Sequence, residues 1–151
     1  MFSIADLLKF NEKFVKDSVK KTGKVSLMVT AMKDNNLIVF PCTNRNTIKE
    51  SMELAKKLNA EWIVVIFECY KMKVKAKIPP KDYEHGELEK KFKSGDKSVE
   101  DSVLIAVYTR DEKRLVTYTK VDNKLKDRLE SKEFGGFLSF EDEENTFGIG
   151  G

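Results

Sequence analysis

EWIVVIFECYKMKVKAKI, residues 61–78, contains the longest apolar run of the chain. From Trp62 to Phe67 every side chain is apolar, which is typical of a strand covered on both faces. From Tyr70 onward the pattern alternates, and one face carries Lys71, Lys73, Lys75 and Lys77. The stretch therefore predicts one long strand, central in its sheet at the start and half exposed at the end.

Working back towards the N-terminus, apolar periodicity and turn residues predict a helix, a hairpin and a second helix. The first helix has Ser3 as its N-cap, and Gly23 follows its end. The second helix begins with a capping box formed by Thr47 and Glu50. The predicted elements are a helix at 3–22, strands at 25–32 and 37–42, and a helix at 47–58.

Working towards the C-terminus, the prolines at 79 and 80 end the long strand, and a long loop follows to residue 101. A short helix at 87–92 is expected inside the loop. Strands at 102–110 and 114–121 form a second hairpin. Residues 123–133 are polar and predict at most a short helix, and residues 137–140 predict a short last strand.

This order of elements predicts a single α+β domain over residues 1–140. We expect a five- to six-stranded, mostly antiparallel sheet with the two main helices packed on one side. The segment 141–151 is acidic and then rich in glycine, which is typical of a tail outside the core.

The composition limits the expected location and partners of the protein more than it limits its activity. The 151 residues carry a net charge of +3, which alone implies neither a nucleic-acid nor a membrane partner. There is no apolar run of ~18 residues and no secretion signal at the N-terminus, so we expect no membrane contact and a cytoplasmic location. A viral source would place the protein in the virion or the host cytoplasm. The many Lys and Glu residues also occur in thermophile proteins.

Metal and cofactor sites are not expected. Cys42, Cys69 and the single histidine, His85, lack metal-ligand spacing, and no glycine pattern matches a phosphate or dinucleotide loop. A disulfide between the two cysteines stays open, because it requires their strands to be neighbours. His85 is a candidate acid–base group, but no partner is indicated by spacing, so a surface role is favoured.

Glu68 is the most unusual residue, because a regular strand places it on the apolar face with Val64 and Ile66. A carboxylate there would need a paired cation or a raised pKa, as at functional sites. The change of pattern instead favours a β-bulge at Glu68 that turns the side chain outward. A metal-dependent nuclease using Glu68 with Lys71 and Asp34 fits less well, because the usual acid-x-Lys spacing is absent.

Two segments are candidate binding surfaces. The lysine stripe, Lys71, Lys73, Lys75 and Lys77, could contact phosphates, although a solvated strand protected by lysines is favoured because no aromatic residues interleave with them. In the tail, Phe147 and Ile149 are apolar anchors beside an acidic run. They suit docking onto a protein surface, and another copy of the chain is preferred.

The order of elements resembles that of small uncharacterised prokaryotic and phage-associated proteins. In these, a hairpin, a helix and an aromatic-led strand precede a segment similar to GDKSVEDSVLIAVYTRDEKRLVTYTKV, residues 95–121. The resemblance covers residues 25–121. It implies a small α+β fold and carries over no activity and no functional residue.

The leading hypothesis is accordingly a non-enzymatic interaction or assembly module that binds a protein partner or itself. The second hypothesis is a nucleic-acid-binding accessory protein that uses the lysine stripe. The third is a hydrolase that uses Glu68.

Overall fold

The computed structural model describes residues 3–72, 87–95, 97 and 99–132. This part of the chain forms three helices and six strands. They are α1 (Ile4–Thr22), β1 (Met28–Lys33), β2 (Asn36–Pro41), α2 (Arg45–Lys57), β3 (Trp62–Met72), α3 (Glu87–Lys93), β4 (Val99–Thr109), β5 (Lys113–Val121) and β6 (Lys124–Ser131).

The six strands form one sheet in the order β2-β1-β3-β4-β5-β6, and every neighbouring pair is antiparallel. β3 and β4 are the two central strands, and they pair over the full length from Trp62 opposite Thr109 to Met72 opposite Val99. The predicted α+β class and the antiparallel sheet are confirmed. β2 and β6 are the two edges.

The two long helices lie on opposite faces of the sheet, so the expectation that both pack on one side is wrong. Alternate residues of β3 supply the two cores: Val65 and Phe67 pack with α2, and Val64 and Ile66 pack with α1. All four are at most 1% exposed. A fully apolar strand leaves neither face for water, and one helix on each face buries both.

α1 begins and ends as predicted. The Ser3 hydroxyl accepts a hydrogen bond from the Asp6 amide at 3.1 Å, and the Asp6 carboxylate accepts one from the Ser3 amide, which completes a capping box. Gly23 ends the helix with φ 72°, and a Cβ there would lie 2.7 Å from Oδ1 of Asn123. The backbone conformation therefore favours glycine, and a side chain there would also have to displace the end of the Asn123 side chain.

α2 begins two residues earlier than predicted, and its capping box is formed by Asn44 and Thr47. The Asn44 side chain accepts a hydrogen bond from the Thr47 amide at 2.9 Å, and the Thr47 hydroxyl accepts one from the Asn44 amide at 3.0 Å. Thr47 is thus the third helical residue and not the cap. Its hydroxyl suits both positions, and asparagine is a still better cap than threonine.

Both predicted hairpins form, and a third one joins β5 to the strand β6, which the sequence did not predict. Asp34 and Asn35 turn the first hairpin with φ values of 50° and 63°. The turn from β5 to β6 uses Asp122, with φ 55°, and Asn123. The weak helix expected at 123–133 is therefore wrong. The short helix expected at 87–92 is present as α3.

Candidate functional sites

Glu68 faces the core side occupied by α1 and is not turned out by a bulge. The register from Phe67 to Cys69 against β4 is continuous, with Glu68 opposite Val103. The side chain is 20% exposed, and one carboxylate oxygen accepts a long hydrogen bond of 3.4 Å from the Val25 amide. The predicted bulge is wrong, and the alternative prediction of a paired cation is confirmed.

That cation is Lys120 of β5, whose side chain is 12% exposed. Its Nζ lies 2.7 Å from Oε2 of Glu68 and 3.4 Å from Oδ2 of Asp101, and it donates to the Gly23 carbonyl at 2.5 Å. All three ammonium hydrogens therefore have acceptors. Burial alone would lower the pKa of Lys120, but the two carboxylates outweigh it and raise the pKa above its ordinary value. Lys120 joins β3, β4 and β5 to the end of α1.

Asp101 is the most deeply buried charged residue of this cluster, at 6% exposure. Burial raises its pKa, and the hydrogen bond and negative charge of Glu68 raise it further, to about 7, although Lys120 opposes the change. None of the described residues forms a hydrogen bond with its Oδ1. We call Glu68, Asp101 and Lys120 the buried charge cluster.

An open cleft of about 420 Å³ lies beside this cluster, between α3 and the ends of β4 and β5. Asp101 and Lys120 line it together with Phe92 and Lys97, whereas Glu68 is not among its described lining residues. A carboxyl group that titrates near pH 7 suits general acid–base chemistry. Thr119 is the one hydroxyl-bearing residue among the described lining residues, and its hydroxyl donates a hydrogen bond of 3.2 Å to Glu100.

A second charged network holds α1 to β5 and β6. Glu12 accepts hydrogen bonds from the Tyr118 hydroxyl and from Arg128, whose Nε lies 2.5 Å from Oε1. Burial raises the pKa of Glu12, but these two donors outweigh it and hold that pKa below its ordinary value. Arg128 and Arg114 also bind Glu130, at 2.8 and 2.9 Å. Every carboxylate of this network has a cationic partner.

The edge strand β2 differs from both clusters because it carries no charged residue: its sequence is NLIVFP. Leu37 and Val39 are 58% and 49% exposed. They pair with Met32 and Thr30 of β1, and these two residues pair in turn with Trp62 and Val64 of β3. Leu37 and Val39 therefore lie on the face of the sheet on which α1 packs.

α1 lies mainly over β4, β5 and β6, so among the described residues it does not extend over β2 on this face of the sheet. Phe10 and Phe14 are 71% and 44% exposed. Each lies two residues from Glu12, which places it about 200° from Glu12 around the helix axis. Glu12 points at Tyr118 and Arg128, so the two phenylalanines lie on the opposite flank of α1. Phe10, Phe14, Leu37 and Val39 with the half-buried Met28, Thr30 and Met32 are called the apolar surface.

Most of the other site residues predicted from the sequence fall outside the described part of the chain. These are His85, Lys73, Lys75, Lys77, Phe147 and Ile149, with the expected last strand at 137–140 and the tail at 141–151. For Lys71 the structure gives the strand position, opposite Glu100. Asp34 lies in the first hairpin turn, far along the sheet from Glu68.

The cysteines and the search for metal or membrane features add three observations. Cys42 and Cys69 form no disulfide, and β1 separates the ends of their strands. Within the described ranges, no group of three or more His, Cys, Asp or Glu side chains could hold a metal ion. None of the helices in these ranges is long and apolar enough to cross a membrane.

Sequence reasoning found Glu68 and missed its partners. Asp101 lies two residues from Val99 and from Val103 in β4, and Lys120 lies two residues from Tyr118 in β5. Each charged residue therefore shares a strand face with buried apolar or aromatic side chains. The same signal that singled out Glu68 was therefore present in both. Their meeting point depends on register, which places Asp101 opposite both Tyr70 and Lys120.

No protein-family profile, no curated protein and no solved structure matches the chain. The resemblance of residues 25–121 to small prokaryotic and phage-associated proteins accordingly stays a prediction.

Proposed function

We propose that this protein is a non-enzymatic interaction or assembly module that binds a protein partner through the edge strand β2 and the apolar surface. The observation that carries the proposal is the uncharged edge with Leu37 and Val39 half exposed. A strand edge offers unpaired amides and carbonyls to any other strand, and native proteins usually block it with charge, proline or a bulge. In β2 only Pro41, at its end, serves that purpose.

The apolar surface supports the same function from a second direction. Single exposed apolar side chains are common on proteins, but contiguous ones mark interaction sites. Here Leu37 and Val39 of β2 are cross-strand neighbours of Met32 and Thr30 of β1, and α1, which carries the exposed Phe10 and Phe14, packs on the same face of the sheet. A partner strand that pairs with β2 would place its own side chains next to Leu37 and Val39, in the manner of β-strand addition.

A labelled peptide with the sequence of residues 33–41, KDNNLIVFP, is the probe for strand addition. We expect it to bind the wild-type protein in fluorescence anisotropy. The double substitution Leu37→Lys and Val39→Lys should weaken binding at least ~10-fold, which corresponds to about 1.4 kcal/mol. Leu129→Lys is the matched control, because Leu129 is 66% exposed on the other edge strand. Equal binding to all three proteins, or none to any, would contradict the proposal.

Nucleic-acid binding is the second candidate function, and a row of lysines on α1 favours it. Lys9, Lys13, Lys16 and Lys20 are exposed and follow one another at three or four residues, so they form one line along the helix. They add to the lysines at 71, 73, 75 and 77. We expect weak, salt-dependent binding without sequence preference, measured by anisotropy with labelled single and double strands. Charge reversal at Lys9 and Lys13, compared with reversal at Lys73 and Lys75, would tell which row is used.

The hydrolase hypothesis has less support, because Glu68 is engaged by Lys120 and by the Val25 amide. A location in the cytoplasm, or in the virion or host cytoplasm for a viral source, is part of the main proposal. Two cysteines that remain thiols are in keeping with a reducing compartment. Docking of Phe147 and Ile149 onto a second copy stays a prediction, as does a thermophilic source.

A further inference from the structure

We propose that the partner of β2 is a second copy of this chain, whose own β2 pairs with it antiparallel, with Ile38 opposite Ile38 and Leu37 opposite Val39. This inference rests on the proposed function, and it adds the identity of the partner and the register. The result would be a closed dimer with one continuous twelve-stranded sheet, twice the six strands of one chain.

The hydrogen bonds within the first hairpin determine which groups of β2 are open. In an antiparallel pair, every second residue directs both its amide and its carbonyl at the neighbouring strand. Just beyond β2, the Cys42 amide donates a hydrogen bond of 3.2 Å to the Leu27 carbonyl, in the same register that pairs Pro41 with Met28. The even-numbered residues of β2 therefore direct their amides and carbonyls at β1. The amides and carbonyls of Leu37 and Val39 therefore point away from the sheet.

A two-fold axis perpendicular to the sheet then limits the register. Such an axis keeps the faces of the two sheets aligned, so paired residues must differ by an even number. With Ile38 on the axis, Leu37 of each copy exchanges both hydrogen bonds with Val39 of the other, and the eight amides and carbonyls of these residues are all satisfied. With Val39 on the axis, Leu37 faces Pro41, which has no amide to donate to the Leu37 carbonyl.

The other edge argues for a second β2 over a head-to-tail contact between β2 and β6. β6 carries five charged residues among eight, and pairing with it would place an uncharged apolar strand against them. A head-to-tail contact would also leave open edges at both ends and grow into fibres. The β2–β2 contact brings no like charges together, because β2 has none, and it uses up the open edge in both copies.

The side chains fit this pairing on both faces. On the face of α1, Leu37 and Val39 of one copy meet Val39 and Leu37 of the other, and the two apolar surfaces become neighbours. On the opposite face, Ile38 meets Ile38. Exposed fractions of 58% and 49% for Leu37 and Val39 show that there is apolar area left to bury.

Site-directed cross-linking tests the register directly. Ile38 opposite Ile38 is a non-hydrogen-bonded pair, in which the Cα atoms lie about 4.5 Å apart, within the range of a disulfide. In a background with Cys42→Ser, we expect Ile38→Cys to give a disulfide-linked dimer under mild oxidation. Val39→Cys and Phe40→Cys are the matched controls, because the two introduced cysteines would lie more than about 7 Å apart in the dimer and should form no disulfide.

Mass and hydrogen exchange test the partner. Sedimentation velocity across the micromolar range should show a species of twice 17.3 kDa, and Leu37→Lys with Val39→Lys should remove it. Exchange at the Leu37 and Val39 amides should slow as protein concentration rises. This measurement uses the wild-type chain, so it does not depend on the folding of any variant.

The outcomes separate the inference from the proposed function. A dimer that cross-links through Val39→Cys and not Ile38→Cys overturns the register. A monomer that still binds the 33–41 peptide overturns the second copy and leaves the interaction module in place. A monomer that binds no peptide overturns both. Protection of Leu37 and Val39 at every concentration would mean that the chain itself covers the edge, which also overturns the dimer.

Discussion

The two edges of this sheet are protected to different degrees. β6 has five charged residues, Asp127 at φ 54° and a break in its register with β5 between Thr117 and Thr119. β2 has no charge and pairs with β1 in unbroken register. Charge and irregularity prevent other strands from pairing with an edge, so one edge is closed and the other is open. The difference indicates which side of the molecule is available to a partner.

The same contrast extends into the core. Near β6, the packing of α1 depends on ion pairs: the buried charge cluster at its end and the Glu12–Arg128 network at its middle. Near β2, the described residues form hydrogen bonds and apolar contacts but no ion pair. Removing a cation should therefore cost stability on the β6 side, and adding a charge should cost association, not stability, on the β2 side.

Lys120→Met should have the largest effect on stability. It leaves Glu68 and Asp101 buried without a cation, and such losses cost about 3 kcal/mol or more. Chemical denaturation of wild type and variant measures the difference. Lys124→Met, at an exposed position of β6, is the control and should change the free energy of unfolding by less than ~0.5 kcal/mol. Similar values for both variants would show that the cluster contributes nothing special to stability.

Asp101→Asn should stabilise the protein, and only at higher pH. The unfolded Asp101 ionises near pH 3.8 but the folded one near 7, so its contribution to stability is full below pH 3.8 and is lost as pH rises to about 7. Asparagine carries no proton to lose. Above pH 7 we expect a gain of about 1–3 kcal/mol in the free energy of unfolding.

The pH profile needs one control, because the ordinary pKa of histidine falls in the same range and the chain has one histidine, His85. His85→Gln should keep the fall in stability between pH 4 and 7, whereas Asp101→Asn should flatten it. A profile that is flat in the wild-type protein would mean that Lys120 keeps Asp101 ionised throughout.

Arg128→Met should have an intermediate effect. The Arg128 side chain is 42% exposed, so solvent weakens its pairs, but Glu12 is only 12% exposed and would keep just the hydroxyl of Tyr118 as a near donor. We expect a loss of about 1 kcal/mol, measured by thermal or chemical unfolding. Lys126→Met is the matched control, because Lys126 is exposed and lies two residues before Arg128 in β6. A loss as large as that of Lys120→Met would place the main ion pair of α1 here.

The sequence predicted the central strand and the first two hairpins, because apolar alternation and turn residues such as Asp34-Asn35 are local signals. It did not predict β6, since a strand with five charges has no apolar period. Yet Asp122-Asn123 repeats the dipeptide Asp34-Asn35 that marked the first hairpin. A turn signal was present where the strand signal was absent.

The predicted β-bulge at Glu68 was wrong because the local sequence does not determine where this side chain points. A carboxylate on an apolar strand face is compatible with a bulge or with a buried partner, and the choice depends on neighbouring strands. Only the register of β3, β4 and β5 brings Asp101 and Lys120 beside it. The placement of α1 and α2 on opposite faces is likewise decided by packing, although the apolar run at 62–67 already required cover on both faces.

Leu37→Lys with Val39→Lys should have the smallest effect on stability and so defines the open edge most sharply. Both side chains are about half exposed, and their replacement removes little buried area from the monomer. At a concentration low enough for the wild type to be monomeric, urea denaturation should show a change within ~0.5 kcal/mol, as for Leu129→Lys. Sedimentation at higher concentration should nevertheless show lost association in the β2 variant alone. A loss of ~2 kcal/mol in the monomer would instead mean that Leu37 and Val39 are covered within the chain, because only buried apolar contacts cost that much. The two edges would then both be closed, one by charge and the other by the protein's own residues.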